Sequence, residues 1–162
     1  MVQETYAKGS TLLIATLCIV LCFFDIPASS VGIYNGAPLT GVLLYSLFHV
    51  NFFHAVLNAW ALLCMVFYYK APLWQLVVAY LIAVSFATTT IPCPLTIGMS
   101  GVVFALFGMT SFRVIRFVYW QVSMALTIAL GFIIPNMNGY LHLYCYAIGV
   151  AVGYLHFLIG RR

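Results

Sequence analysis

A chain of 162 residues has the length of a single domain. Its composition excludes an ordinary soluble one, because 65% of the residues are hydrophobic and only 5% are charged, whereas soluble folds carry far more charge. The net charge of +4 comes from six basic residues scattered between apolar runs. These residues form no basic patch, so the charge pattern does not predict nucleic acid as a partner. The spacing of cysteine and histidine predicts neither a metal nor a cofactor.

Continuous apolar runs separated by turn residues dominate the sequence. Strands of a membrane barrel would alternate apolar and polar residues, so the runs favour helices, which satisfy their own backbone hydrogen bonds in lipid. We predict an all-α membrane protein with one domain over residues 1–162. Its six transmembrane helices are expected at approximately 10–26, 42–69, 73–90, 100–112, 117–134 and 140–160.

The first apolar run has an alternative interpretation as a cleaved signal peptide. Lys8 precedes the run, and the small residues of segment 27–30 follow it. The apolar stretch is long for the hydrophobic part of such a peptide, and the count of six spans favours keeping it.

The basic residues predict an orientation. Counted from a cytoplasmic N-terminus, all of them fall on one side of the predicted spans: Lys8, Lys70, Arg113, Arg116, Arg161 and Arg162. The excess of positive charge on cytoplasmic loops then places both termini in the cytoplasm. We expect a multi-pass protein of a bacterial inner membrane, present as a monomer or a weak homo-oligomer.

Few polar side chains interrupt the predicted spans, and such residues are functional suspects because lipid disfavours them. A helical rise of about 1.5 Å per residue places four of them at a similar depth in the outer half of the membrane. The two acidic residues, Glu4 and Asp25, lie outside the predicted hydrocarbon core, which excludes an aspartyl intramembrane protease or a zinc protease with a glutamate base. The four converging residues are His54, Asn58, Ser100 and His142.

The fourth predicted span is too short to cross a bilayer. We therefore expect it to begin inside the membrane at Ser100, after an irregular segment that dips in from the outer side. Ser100 would then occupy a helix N-terminus, where free N–H groups and the helix dipole favour negative charge. Gly98 and Gly101 would allow close backbone approach on either side.

Three motifs resemble those of rhomboid intramembrane serine proteases. Segment 98–108, GMSGVVFALFG, is similar to the family's GxSG segment, and HVNFFHAVLN over residues 49–58 matches its HxxxxHxxxN pattern. His142, followed by Gly149 and Gly153, resembles the histidine and glycine face of the family's sixth helix. The resemblance covers nearly the whole chain and implies a six-helix rhomboid-like bundle with a short, re-entrant-fed fourth helix.

The resemblance also implies roles for individual residues. Ser100 would be the nucleophile and His142 its general base, acting as a dyad without a carboxylate or cofactor. The oxyanion-binding and substrate-binding set would comprise His54, Asn58, His49, Gly98, Met99 and Phe104, with Phe104 stacked on the imidazole. The implied substrates are transmembrane proteins in the lipid bilayer, and the implied reaction is peptide-bond hydrolysis.

Two other classes of function remain open. A non-catalytic rhomboid-like protein would bind transmembrane clients, but such a protein would usually have lost either Ser100 or His142. A small transporter or channel could use the same polar residues, although the lack of intramembrane acids disfavours proton-coupled transport.

Overall fold

The computed structural model describes residues 2–160, and over that range the chain is helical with one isolated bridge between Ile33 and Thr96. A π-helical segment, Cys64–Tyr68, prolongs the fourth helix, and short 3₁₀ turns follow the fifth and sixth. The helices are α1 Val2–Leu21, α2 Ala28–Val31, α3 Leu39–Leu44, α4 Phe52–Leu63, α5 Leu73–Ser85, α6 Ser100–Thr110, α7 Phe117–Leu130 and α8 Gly139–Gly160.

The predicted bundle of six transmembrane helices is wrong. Within residues 2–160 only two helices are long and apolar enough to cross a membrane, Glu4–Leu21 within α1 and Gly139–Gly160. The remaining long apolar helices fall short of the ~20 residues that a span requires; they are Phe52–Tyr68, Leu73–Thr88 and Phe117–Leu130.

The clearest failure is the predicted span 42–69, which the structure divides. α3 ends at Leu44, and a new helix begins at Phe52 because the side chain of Asn51 accepts a hydrogen bond from the His54 N–H at 2.9 Å. Such a side-chain cap satisfies an N–H group that would otherwise lack a partner at the start of a helix. Residues 42–69 are one apolar run by hydropathy, but the backbone forms two helices in this region.

The two candidate spans support association with a membrane. In each of them only 22% of the apolar window is buried within the protein, whereas the core helix of a soluble protein is mostly buried. Met1, Arg161 and Arg162, which entered the predicted domain and its orientation, lie outside the described residues.

α6 forms the centre of the fold. All of its residues are buried except Ser100 at its start and Phe107, both of which are partly exposed. A helix that is apolar on every side is expected to be enclosed by other elements, and here α5 and α8 pack against it.

α6 and α8 run parallel and touch through their backbones. A Cβ atom on Gly149 would collide with the Ala105 carbonyl, and one on Gly153 would lie 2.6 Å from the carbonyl oxygen of Met109. The contact thus moves four residues toward the C-terminus on both helices, from Ala105–Gly149 to Met109–Gly153, which shows that the helices are parallel. The parallel packing brings the N-terminal ends of both helices, with Ser100 and His142, to the same end of the molecule.

Candidate active site

A cavity of about 440 Å³ opens at the N-terminal ends of α6 and α8. The structure brings five of the eight predicted site residues to its wall: Ser100, His142, His54, Asn58 and Phe104. They come from three helices that are far apart in sequence. The four polar residues of this group are those that the sequence placed at a similar depth in the membrane.

Ser100 is the first residue of α6, and the segment before it is held by two hydrogen bonds that its backbone N–H groups donate. The N–H of Gly98 donates to the Tyr45 carbonyl at 2.9 Å, and that of Met99 donates to His49 Nε2 at 3.3 Å. No side chain caps α6 at Met99, so the first N–H groups of the helix are available to an anion.

Gly98 is required on two grounds. Its φ of +129° lies where residues with a side chain are strained. A Cβ atom at this position would also lie 2.7 Å from His54 Cε1. The glycine therefore allows the His54 ring to pack directly against the segment that presents Ser100.

His142 is 2% exposed, and its ring stacks on Phe104 with centroids 4.2 Å apart and planes at 15°. Its Nδ1 atom is buried and, among the described residues, has no hydrogen-bond partner. That leaves Nε2 as the ring nitrogen for the cavity. Stacking on Phe104 thus orients the imidazole. In a serine protease triad, a carboxylate has this orienting role.

Ser100 and His142 line the same cavity, but the described residues include no hydrogen bond between the Ser100 hydroxyl and the imidazole. Catalytic hydrogen bonds are often long in unliganded enzymes and tighten when substrate binds. The structure therefore places the two groups on the wall of one cavity, without a hydrogen bond between them.

His54 and Asn58 lie one turn apart on α4 and so present their side chains to the same side. The side chain of Asn58 is buried, and its Nδ2 atom donates to the His54 carbonyl at 2.9 Å. The second N–H of that amide can serve a ligand in the cavity. His49 packs edge-on against His54 with ring centroids 5.0 Å apart.

Three predicted site residues do not line this cavity. His49 lines a neighbouring cavity of about 510 Å³ together with Asp25. The side chain of Met99 is buried and lines a third cavity beside Leu43 and Val102. Next to the candidate site, Met99 therefore presents its backbone, whose N–H donates to His49. Gly98 likewise acts through its backbone conformation.

No protein-family model matches this chain, and no curated protein matches it. The resemblance to rhomboid proteases therefore depends on the three motifs and on the placement of their residues.

Sequence reasoning missed five polar residues that line the cavity: Asn51, Thr96, Thr127, Asn136 and Asn138. Asn138 carried a signal, because asparagine before an apolar helical run is a typical N-cap. Thr96 carried none, since its partner is 42 residues away in sequence.

Proposed function

We propose that this protein is an intramembrane serine endopeptidase of the rhomboid type. It hydrolyses peptide bonds in or near the transmembrane segments of membrane proteins, with Ser100 as nucleophile and His142 as general base. The observation that carries the proposal is the shared cavity, in which a serine at a helix N-terminus and a stacked imidazole come together.

The chemistry follows from these groups. A serine hydroxyl is a weak nucleophile until a base removes its proton, and His142 Nε2 takes that proton as Oγ attacks the carbonyl carbon. The resulting oxyanion lies near the N-terminus of α6, where backbone N–H groups, Asn58 and His54 donate to it. His142 then protonates the leaving amine, and water hydrolyses the acyl-enzyme by the same steps.

The cavity wall suits an apolar polypeptide as substrate. Phe53, Leu57 and Phe107 line it alongside the polar groups. No carboxylate lines it among the described residues, so a basic side chain in the substrate would find no charged partner there. A transmembrane segment with small, uncharged residues fits this chemistry.

The proposed location is a bacterial inner membrane, with α1 and α8 crossing it and both termini in the cytoplasm. Glu4 supports the arrangement because its carboxylate bridges Lys8 at 2.7 Å and Lys70 at 3.8 Å. These basic residues therefore share one end of the molecule, as the positive-inside rule requires. Since the cavity lies at the opposite end of the helices, it faces the outer side.

A fluorophosphonate probe tests the assignment of Ser100, because such probes modify only activated serines. The detergent-solubilised protein is expected to be labelled at Ser100, and the label should disappear in Ser100→Ala. Ser85→Ala is the matched control, since the Ser85 hydroxyl is bonded to the Ile82 carbonyl and to Tyr144 and does not line the cavity. Mass spectrometry of the labelled peptide identifies the site.

Absence of labelling in the wild-type protein, or equal labelling in Ser100→Ala, would contradict an activated serine. Either result would favour a rhomboid-like protein that binds transmembrane clients without cutting them. Co-purification of tagged single-pass proteins would then show whether clients are retained.

Gly131→Ala is expected to reduce the cleavage rate about tenfold, because it crowds the general base. Gly131 is the C-cap that follows α7, and a Cβ atom there would lie 2.8 Å from His142 Nδ1 and 3.0 Å from both the Gly139 Cα atom and the Ile128 carbonyl oxygen. Its φ of −63° is compatible with alanine, so the added methyl acts through these contacts and not through the dihedral angle. Cleavage rates of a tagged substrate in proteoliposomes measure the effect. Gly9→Ala is the control, since nothing lies within 4 Å of the added Cβ; equal rates for the two variants would contradict the crowding.

A further inference from the structure

A buried hydrogen bond joins the segments that precede the two proposed catalytic residues. Nδ2 of Asn138 donates to Oγ1 of Thr96 at 2.9 Å, and the two residues are only 4% and 8% exposed. Thr96 lies four residues before Ser100, and Asn138 lies four residues before His142. The bond therefore connects the points four residues before each proposed catalytic residue; Asn138 directly precedes α8, whereas Thr96 lies four residues before the start of α6.

Thr96 is fixed on its other sides. Its N–H and carbonyl both pair with Ile33 at 2.9 Å, and its hydroxyl donates to the Pro94 carbonyl at 2.7 Å. The hydroxyl oxygen can then only accept from Asn138. Between Thr96 and Ser100 the chain is held by the hydrogen bonds of Gly98 and Met99 already described. These bonds anchor Thr96 and the segment that leads to Ser100, so the bond from Asn138 ties the start of α8 to a fixed point.

Asn138 is tied to the helix that carries His142. Its Oδ1 atom accepts from the Leu141 N–H at 3.0 Å, and its carbonyl accepts from the His142 N–H at 3.1 Å. One side chain thus caps α8 with its oxygen and reaches Thr96 with its nitrogen.

We propose that Thr96 and Asn138 are positioning residues, whose hydrogen bond sets the separation of Ser100 and His142. The inference rests on the proposed function for its catalytic meaning. The backbone contacts that the glycines make between α6 and α8, at Ala105–Gly149, Gly108–Tyr146 and Met109–Gly153, all lie at least one turn beyond the starts of the two helices. The bond between Thr96 and Asn138 is a further tie, at the end where the cavity opens.

Thr96→Val tests the tie, because valine keeps the shape of threonine and removes the hydroxyl. We expect kcat to fall about tenfold with KM close to that of the wild type. The thermal unfolding midpoint should fall by a few degrees, because the buried Asn138 Nδ2 atom loses its acceptor. Thr96→Ser should restore the rate. Thr89→Val is the matched control, since the Thr89 hydroxyl bonds only within its own loop, to the Phe86 carbonyl and the Ile91 N–H.

Asn138→Ser separates capping from positioning. Serine still caps α8, but it is too short to reach Thr96. If the two residues act through one bond, the double variant with Thr96→Val should be no slower than the slower single variant. Rates that multiply in the double variant would show independent effects and overturn the proposal.

A second measurement does not require proteolysis. In Ser100→Cys, an adjacent imidazole should accelerate alkylation by iodoacetamide, and His142→Ala removes that acceleration. Adding Thr96→Val should slow the alkylation about tenfold toward the rate without His142, and adding Thr96→Ser should not.

These outcomes separate the two proposals. If the wild type cuts no substrate while alkylation responds to His142 and Thr96, the protease assignment fails and the tie stands. If the wild type cuts and Thr96→Val alters neither rate, the tie is overturned and the protease assignment stands. Alkylation that is independent of His142 also overturns the tie.

Discussion

Replacing Ser100 with alanine is expected to abolish cleavage of a membrane-embedded substrate, because no acyl-enzyme can form without the hydroxyl. His142→Ala should lower the rate by about 10²–10⁴-fold, the loss that follows removal of a positioned general base. The double variant should be no slower than the slower single variant, since a nucleophile and its base act as one unit. The measurement is the release of a fluorescent fragment from a tagged single-pass protein in proteoliposomes.

His156→Ala is the matched control for the histidine. It lies on α8 with His142, but it is exposed and packs against Trp74 with ring centroids 5.1 Å apart. Its loss should leave the cleavage rate unchanged. Thermal unfolding in detergent should show all these variants folded, because neither the Ser100 hydroxyl nor the His142 ring makes a hydrogen bond to another described side chain. Cleavage by Ser100→Ala at the wild-type rate would refute the mechanism.

The start of α6 was predictable from the sequence for a physical reason. Arg113 ends the apolar run, and glycine at position 98 allows an abrupt change of chain direction just before Ser100. These local signals are sufficient to place a serine at a helix N-terminus. The resemblance added an expectation that no local signal contains, that Phe104 faces His142, and the structure stacks the two rings.

The helix lengths were not predictable from apolarity. An apolar run such as residues 42–69 shows that its side chains favour a nonpolar environment. They favour it equally whether the backbone forms one helix or two. The break depends on Asn51, whose side chain caps the next helix. Asparagine before a helical run is a known N-cap signal. Because Asn51 lies within a long apolar run, that signal was not used to divide the run into two helices. Counting apolar residues therefore overestimated the number of spans.

The pairing of Thr96 with Asn138 could not be derived from sequence at all. A hydrogen bond between residues 42 positions apart exists only because α6 and α8 run parallel and in contact. That packing is set by glycines whose spacing in sequence indicates only that some helix can approach closely. Which helix approaches, and at which level, is a property of the folded chain.

Gly149→Val should destabilise the protein by about 3 kcal/mol, at the upper end of what overpacking usually costs. The cost is large because the added side chain meets the Ala105 carbonyl, a backbone atom that cannot rotate away. α6 and α8 must separate to admit it, which disturbs the enclosed centre of the fold. For a chain of this size such a loss corresponds to a fall in thermal midpoint of roughly 6–12 °C.

Gly9→Val provides the comparison, because a Cβ atom at Gly9 in α1 meets nothing within 4 Å and valine is no worse than glycine within a helix. Its midpoint should stay within about 2 °C of the wild type. If Gly149→Val also unfolds at the wild-type midpoint, backbone contact between α6 and α8 does not hold the fold together. Parallel packing would then no longer explain why Ser100 and His142 share a cavity, since that contact is what brings the two helix ends to one place.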